Sequence, residues 1–147
     1  MDVEIKLEGF DQLARQLREL PQALAKNALR AAVNAGATEV RKEVQARAPV
    51  LTGRLRKSVY QAQVRELSSL YRQVYIVGVR SGPKRTKTGA KDRSRDAFYW
   101  RFLEFGTRYI AARPFLRPAL ATKKGAAIEA MARKLRERIE RFRATGR

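Results

Sequence analysis

The 147-residue chain contains no cysteine and no histidine. Without cysteine there can be no disulfide bond and no thiolate metal site within the chain. Without histidine the chain lacks the commonest general base near neutral pH and the commonest metal ligand. Its 14 acidic residues are scattered, and no spacing among them suggests a catalytic pair. We therefore predict no enzymatic activity, no metal site and no cofactor.

Long apolar runs and targeting signals are also missing. The first ten residues, MDVEIKLEGF, lack the basic start and apolar stretch of a signal peptide. No apolar run approaches the roughly 20 residues that are needed to span a bilayer. The sequence therefore predicts a soluble protein of the cytoplasm with no membrane partner.

Positive charge is what the chain has in excess. Lysine and arginine number 33 against 14 acids, which gives a formal net charge of +19, and 23 of the 33 are arginine. Arginine binds carboxylate and phosphate through two parallel hydrogen bonds and stacks on aromatic rings. A charge of this size also repels itself in a compact monomer. These properties favour acidic partners or a polyanion.

The N-terminal half predicts a strand followed by two helices. Residues 3–7 alternate apolar and charged side chains, as in a half-buried strand. Asp11 is placed to cap a first helix that carries Leu13, Leu17 and Leu20. A second, alanine-rich helix is expected from Gln22 to Arg47, and its Gly36 indicates close packing against another element. Its predicted buried stripe comprises Leu29, Val33, Gly36, Val40 and Val44.

The remainder predicts a hairpin, a short helix and a long amphipathic helix. Strands are expected over 58–66, with Tyr60, Ala62 and Val64 facing inward, and over 71–80, where both faces are apolar. The second strand should therefore be central or covered by a partner. A short helix is expected over 98–105, ended by Gly106. The last helix should open near Pro118 and carry a stripe of Ile128, Met131, Leu135, Ile139 and Phe142.

These elements predict an α+β fold in one domain over residues 1–147, with a fraying basic C-terminus at 143–147. The small antiparallel sheet should have about three to four strands. It should pack against the long N-terminal helix and the C-terminal amphipathic helix.

Residues 81–95 predict a mobile basic loop. Three interpretations remain open for it: a solvated loop, a contact to DNA phosphates, or a clamp on an acidic partner. With no aromatic residue in the loop, contact to DNA would be limited to the backbone and independent of sequence. The six basic residues concerned are Lys84, Arg85, Lys87, Lys91, Arg93 and Arg95.

Three motifs in order resemble the neck or tail-completion proteins of long-tailed bacteriophages and prophages. They are ARAPVLTGRLRKSV (46–59), FLEFGT (102–107) and ARPFLRPAL (112–120). The resemblance covers about residues 3–122 and says nothing of the basic C-terminal helix. It implies a non-enzymatic structural protein of the virion, placed at the head–tail junction after assembly in the host cytoplasm.

Further expectations about partners follow from the same resemblance. The chain would form a ring with copies of itself, with a hexamer as one arrangement. The ring would join the head-closure or connector protein to the tail terminator or tail tube protein. DNA would pass through it without sequence-specific contact, and six copies of a +19 chain would demand acidic partners, DNA or both.

The last two motifs supply the candidate subunit interface. Glu104 could form an ion pair with Arg101, Arg108 or Arg113 of a neighbour, and Phe115 could be an aromatic anchor. On that interpretation Phe115→Ala or Glu104→Ala would impair assembly and leave a folded chain. The local alternative is a helix C-cap with a buried Phe105, followed by a helix start that Phe115 staples. The predicted interface residues are Arg101, Glu104, Phe105, Gly106, Thr107, Arg113, Phe115, Leu116 and Arg117.

Two other function classes compete with a virion connector. Charge alone would also suit a free-standing, sequence-independent nucleic-acid-binding protein, although the chain has no helix-turn-helix or aromatic RNA-binding signature. A host-directed regulator of a toxin type ranks third.

Overall fold

The computed structural model describes residues 9–50 and 52–146. The strand predicted over residues 3–7 lies outside this described part. The helices are α1 (Phe10–Glu19), α2 (Gln22–Arg47), α3 (Arg54–Ser58), α4 (Trp100–Phe105) and α5 (Leu116–Thr145). The strands are β1 (Val59–Gln63), β2 (Tyr75–Val79), β3 (Lys84–Arg85) and β4 (Lys91–Asp92). The predicted α+β class is confirmed.

Helices α2 and α5 form the long axis of the molecule. They run antiparallel: the start of α2 packs near the end of α5, while Arg47 at the end of α2 donates to Thr122 near the start of α5. The bounds predicted for α2 are confirmed residue for residue. Its fully buried residues are Ala25, Ala28, Ala32, Gly36, Ala37 and Val44, so its stripe is made mainly of alanine, with Leu29, Val33 and Val40 half-buried beside it.

Gly36 lets the two helices approach closely, as its position in the middle of a helix predicted. A Cβ added there would lie 2.6 Å from Met131 Cγ and 3.0 Å from the Ala127 carbonyl oxygen, both on α5. A larger side chain fits only if the Met131 side chain moves and the Ala127 carbonyl shifts slightly. The glycine therefore sets the distance between α2 and α5 at this point.

Helix α1 packs against the far end of this pair. Leu13 and Leu17 are buried in a first core with Leu135 and Ile139 of α5. The prediction that Asp11 caps α1 is wrong. The N-cap is Gly9, whose φ of 91° is left-handed, and Asp11 lies inside the first turn, where its carboxylate is still favoured by the helix dipole.

Strands β1 and β2 form an antiparallel hairpin whose inward face was predicted wrongly. Gln61 of β1 faces α2, where its amide donates to Asn34 Oδ1 at 2.7 Å and to Thr38 Oγ1 at 3.1 Å. Tyr60, predicted to face inward, therefore lies on the opposite face of the strand. The helix offers polar partners at this point, so a half-buried glutamine can face it where alternation alone predicts an apolar residue.

Two of the predicted strands pair in the described part of the sheet. Among the described residues β2 pairs only with β1, and β3 pairs with β4 in a second two-stranded sheet. Segment 81–95, predicted to be a mobile loop, contains this small hairpin, whose register pairs Lys84 with Asp92 and Arg85 with Lys91. Every residue of the segment is exposed. We call residues 81–95 the basic hairpin.

A second core lies at the other end of the long helices. It buries Val44, Ala48, Leu55, Val59, Val79, Ala97, Phe115 and Ala119, which come from five separate parts of the chain. At the opposite end of the molecule α5 remains helical through Thr145, beyond the point where the sequence predicts fraying. The second core is where the three sequence motifs meet, because it contains Leu55 and Phe115 and abuts Leu103.

Candidate assembly surface

A tight turn follows α4 and depends on glycine. Gly106 has a φ of 73° and its N–H donates to the Phe102 carbonyl at 2.9 Å, so the predicted helix C-cap is confirmed. A Cβ on Gly106 would lie 2.9 Å from Ala112 N and 3.1 Å from the Ile110 carbonyl oxygen. The turn therefore needs glycine both for its backbone conformation and for the space that the returning chain occupies.

Glu104 joins α4 to the start of α5. Its Oε2 accepts hydrogen bonds from the backbone N–H of Phe115 at 2.8 Å and of Leu116 at 3.0 Å. Its Oε1 accepts a third from Arg117 N–H at 3.1 Å. The first N–H groups of a helix have no partner within the helix and carry partial positive charge, so a carboxylate is well suited to them. Glu104 is thus a cap for α5 supplied from a different helix.

The geometry of Glu104 bears directly on the ion pair predicted with a neighbouring subunit. Its side chain is 1% exposed, and its closest ionic partner is Arg117 of the same chain, with Nε at 4.0 Å. In this conformation the carboxylate cannot reach an arginine of another subunit. Arg101, Arg108 and Arg113, predicted as its alternative partners, are all exposed. Arg113 is tied back by its backbone, whose N–H donates to the Leu103 carbonyl at 2.7 Å.

Phe115 is equally committed to its own chain. Its side chain is 0% exposed and lies in the second core, and the half-buried Leu116 packs against the same cluster. A ring in this position cannot be an anchor for a neighbour without leaving the core. The local interpretation, a helix start stapled by Phe115, therefore describes the structure. Loss of the ring is expected to destabilise the fold, which corrects the expectation that Phe115→Ala leaves it intact.

Phe105 and Arg117 are the two predicted interface residues that meet at the surface. Phe105 is 59% exposed, which corrects the expectation of a buried ring. The Arg117 guanidinium carbon lies 4.7 Å from its ring centroid, within the range of a cation–π contact. Arg101 makes a similar contact with Trp100 at 5.5 Å. Thr107 is exposed, and its Oγ1 accepts from the N–H groups of Tyr109 and Ile110 and so shapes the turn.

Sequence reasoning missed most of the apolar surface around α4. It predicted a short helix over 98–105, but did not establish that Phe98, Phe102 and Phe105 face solvent. It also passed over Tyr109, which is 88% exposed. Five of the ten large apolar side chains that the described residues expose fall between positions 98 and 110. We call them the apolar segment: Phe98, Phe102, Phe105, Tyr109 and Ile110.

The apolar segment is held by residues on the opposite side of α4. Tyr99, Trp100 and Leu103 are partly buried against the second core. Together with the Glu104 cap they fix α4, so that its outer side chains are presented on a rigid base. A rigid apolar surface loses little conformational entropy on binding, which favours association.

The basic hairpin leaves the same end of the molecule. The fully buried Ser58 hydroxyl lies 2.8 Å from the Arg95 carbonyl oxygen and 2.7 Å from the Arg54 carbonyl oxygen, so that it holds the base of the hairpin against α3. On strand β4, the Ser94 backbone N–H and hydroxyl lower the pKa of Asp92, with Arg95 and Lys84 adding to the effect. The single acid of the hairpin therefore stays ionised, and its six basic side chains all project into solvent.

The described residues hold no group of three or more acidic, cysteine or histidine side chains that could bind a metal ion. Within the same ranges, 9–50 and 52–146, no helix is both long enough and apolar enough to cross a bilayer.

One protein family matches this chain. The model of the family described as "Bacteriophage HK97-gp10, putative tail-component" matches residues 11–106, which is more than half of the 147 residues. The match includes the Thr52–Leu55 turn and α4 with Gly106, whereas the start of α5 lies beyond it. No curated protein and no solved structure matches the chain. Membership in a family of structural tail components points away from enzymatic activity. The chain therefore belongs to the HK97-gp10-like family of bacteriophage tail components.

Proposed function

We propose that this tail component works at the head–tail junction, where it forms a ring that joins the head connector to the tail. The observation that carries the proposal is the apolar segment on its rigid base: five large apolar side chains, each about half exposed or more, within 13 residues. Clusters of exposed aromatic residues are typical of protein interfaces. We assign the segment to contact between copies of this chain.

The cation–π pairs at this end suit an interface with some polarity. Arg117 over Phe105 and Arg101 over Trp100 keep charged groups beside the apolar surface. Arginine and aromatic residues are enriched at the energetic centre of interfaces. In this proposal Arg101, Phe105, Thr107 and Arg117 contact the neighbour directly. Glu104, Gly106, Arg113, Phe115 and Leu116 act by holding the surface in shape.

The basic hairpin is assigned to the DNA passage. Its six cations are exposed, and no aromatic side chain stands among them for stacking on bases. Contact of this kind is electrostatic and independent of sequence, so a genome can slide past it. The remaining partners would be the head-closure or connector protein on one side and the tail terminator or tail tube protein on the other.

Assembly of two variants tests the ring. In the first, Phe102→Ser and Phe105→Ser remove two rings of the apolar segment. In the matched control, Leu67→Ser and Tyr71→Ser remove two similarly exposed side chains elsewhere. We expect rings by electron microscopy for the unmodified chain and the control, mixed with the neighbouring tail proteins, and monomers for the first variant. Monomers of the unmodified chain, or equal loss in both variants, would contradict the proposal.

A free-standing nucleic-acid-binding protein is the second candidate, favoured by the exposed cations of the basic hairpin. A gel-shift titration of the monomer at physiological salt separates the two. Tight binding by a chain that never assembles supports the second candidate. Negligible binding by the monomer, together with ring formation, supports the first.

A further inference from the structure

A long groove runs between α2 and α5 on the side of the molecule where Tyr75 of β2 lies. Three adjoining cavities form it, with volumes of about 490, 510 and 630 Å³. Tyr75 lines the first and the second cavity, and Asn27 and Arg138 line the second and the third. The lining extends along α2 from Leu24 to Val44, which is about 30 Å at 1.5 Å per residue. We call this surface the α2–α5 groove.

The part of the groove nearest the start of α5 is apolar. Val33 and Val40 of α2 and Ile128 and Met131 of α5 line it, and all four are half-buried. Leu120 lines the same part and is 55% exposed. Apolar side chains that remain accessible in a concave surface favour the binding of another apolar face.

The other part of the groove is basic. Arg30 of α2 and Arg138 and Arg141 of α5 line it, and all three are exposed. In the described part of the chain no carboxylate lies within 4.0 Å of these three guanidinium groups. Two further cations, Arg117 and Lys124, line the apolar part. Positive charge is therefore present along the whole length of the groove.

No acidic residue lines any of the three cavities. Glu137 is next to Arg138 in sequence, but it lines a separate cavity together with Glu39. Its carboxylate is paired with Lys134 at 2.9 Å. The charge of the groove thus calls for acidic groups from another molecule.

The mixture of apolar and basic lining favours a polypeptide over DNA. A DNA backbone would offer phosphates to the arginines but no apolar surface to Ile128 and Met131. A helix with acidic and apolar side chains offers both, and about twenty of its residues span 30 Å. The surface between two antiparallel helices is also one on which a third helix packs. The two long helices of this chain each carry more cations than acids, so a second copy does not supply that helix.

We propose that the α2–α5 groove binds an acidic amphipathic helix of a neighbouring tail protein. The apolar face of that helix lies against α2 and α5, and its carboxylates pair with Arg30, Arg138 and Arg141. Arginine–carboxylate pairs with two parallel hydrogen bonds give such a contact its register. The inference rests on the proposed function, in which the chain joins other virion proteins. The groove also adjoins the apolar segment, since Arg117 both lines the groove and lies over Phe105.

Binding of a model helix by the monomer tests the chemistry. The probe is a labelled synthetic helix of about 20 residues with leucine on one face and glutamate on the other. One variant carries Arg138→Glu and Arg141→Glu, and its control carries Arg133→Glu and Arg136→Glu, which are exposed on the same helix outside the groove. By fluorescence anisotropy we expect binding to weaken at least about tenfold in the first variant and less than about threefold in the control.

Three outcomes of this titration would overturn the proposal. The first is no binding by the unmodified chain, and the second is equal weakening in the two variants. The third is competition by duplex DNA that displaces the probe from the unmodified chain and from the control, while the groove variant has lost its DNA binding. That result would assign the groove to nucleic acid.

A single engineered thiol tests the natural partner, because the chain has no cysteine of its own. Leu120→Cys places the thiol in the groove, and the control Leu67→Cys places it elsewhere; the two leucines are both 55% exposed. Each variant is labelled with maleimide-benzophenone and irradiated in a mixture with the purified neighbouring tail proteins. We expect the first variant alone to cross-link, and mass spectrometry to locate the link in an acidic helix of a different protein.

Cross-links to a second copy of this chain or to a basic segment, or no cross-link at all, would overturn the proposal. The result is separable from that of the ring. Rings seen by electron microscopy without a cross-link at position 120 would leave the ring proposal in place and overturn this inference. A chain that binds the acidic helix but never forms rings would contradict the ring and support the groove.

Discussion

At the scale of single residues, Glu104 shows how a charged side chain can be a structural residue in a chain of charge +19. It is one of two polar residues buried among those the structure describes, and its carboxylate accepts three backbone hydrogen bonds. The cap links α4 to α5 across eleven to thirteen positions of sequence. The same link fixes the base of the apolar segment, so a local hydrogen-bond pattern supports the surface proposed for assembly.

Replacement of this carboxylate is expected to destabilise the protein. Glu104→Gln keeps the shape but removes the charge. Its amide nitrogen replaces one of the two accepting oxygens, so either the Arg117 N–H or the Phe115 and Leu116 N–H groups lose their acceptor. We expect a loss of about 1–3 kcal/mol in the free energy of unfolding, measured by urea titration. Glu129→Gln, at an exposed position of α5, is the control and should change stability by less than about 0.5 kcal/mol. Equal stability of both variants would remove the capping role.

At the scale of elements, the contact between α2 and α5 depends on small residues. Alanines on α2 meet Ala132, Leu135 and Ile139 of α5, and Gly36 brings the backbones together at Ala127. These small side chains allow the two long helices to pack with little space between them. The β1–β2 hairpin and α1 then pack on the remaining faces of the two helices.

Two glycines in helices give opposite predictions for the same substitution. Gly125→Ala, on α5, meets no atom within 4 Å and should raise the free energy of unfolding by about 0.5–1 kcal/mol through helix propensity. Gly36→Ala would bring Cβ to 3.0 Å from the Ala127 oxygen and closer still to Met131. We expect it to lower that free energy by about 1–3 kcal/mol. Urea titrations compare the two, and equal gains would contradict close packing at Gly36.

At the scale of the whole molecule, exposed cations lie both on the basic hairpin and along the long helices. The basic hairpin leaves the second core, next to the apolar segment, while many of the remaining cations lie on the exposed faces of α1, α2 and α5. A uniform excess of charge would bind DNA anywhere on the surface. If the basic hairpin lines the DNA passage as proposed, its cations must contribute more to DNA binding than the other exposed cations do.

Neutralising the hairpin tests this division. One variant changes its six basic residues to glutamine, and a control of equal charge changes six exposed cations at the other end: Arg15, Arg18, Lys26, Arg30, Arg133 and Arg136. If the hairpin neutralises six phosphates, the slope of log K against log salt should become shallower by about 5 in the first variant and change much less in the control. Binding is measured by fluorescence anisotropy on duplex DNA.

An equal effect of the two sets would show that charge acts without regard to position. Both variants should keep the stability of the unmodified chain, because all twelve side chains are exposed.

Much of the architecture could be predicted from local signals. The bounds of α2, the C-cap at Gly106 and the close packing at Gly36 follow from helix propensity and from what glycine alone permits. The errors share a cause. Asp11 was a plausible cap, but Gly9 is the N-cap because the backbone there is left-handed, which composition does not reveal. Tyr60 was a plausible inward residue, but Gln61 faces α2 because its partner Asn34 is distant in sequence.

The candidate surface was predicted only in part. Sequence placed the right segments together as motifs, but it left Glu104 and Phe115 open between contact with a neighbour and a local structural role, and it overlooked Tyr109. A helical period shows which side chains share a face; it does not show which face the rest of the protein covers. Exposure at Phe102 and burial at Phe115 are both consequences of how α4 and α5 dock on the second core.

By itself the sequence determined the absence of thiol and imidazole chemistry, the large positive charge, the mixed α+β class and the order of the main elements. These properties depend on composition and on neighbours within one or two helical turns. The tertiary structure alone decided which face of β1 is buried, that Glu104 caps α5, and that the rings of the apolar segment stand in solvent. Each of those outcomes depends on contacts between residues far apart in the chain. Such contacts decide which side chains are buried, and so which of them stabilise the fold and which remain available to a partner.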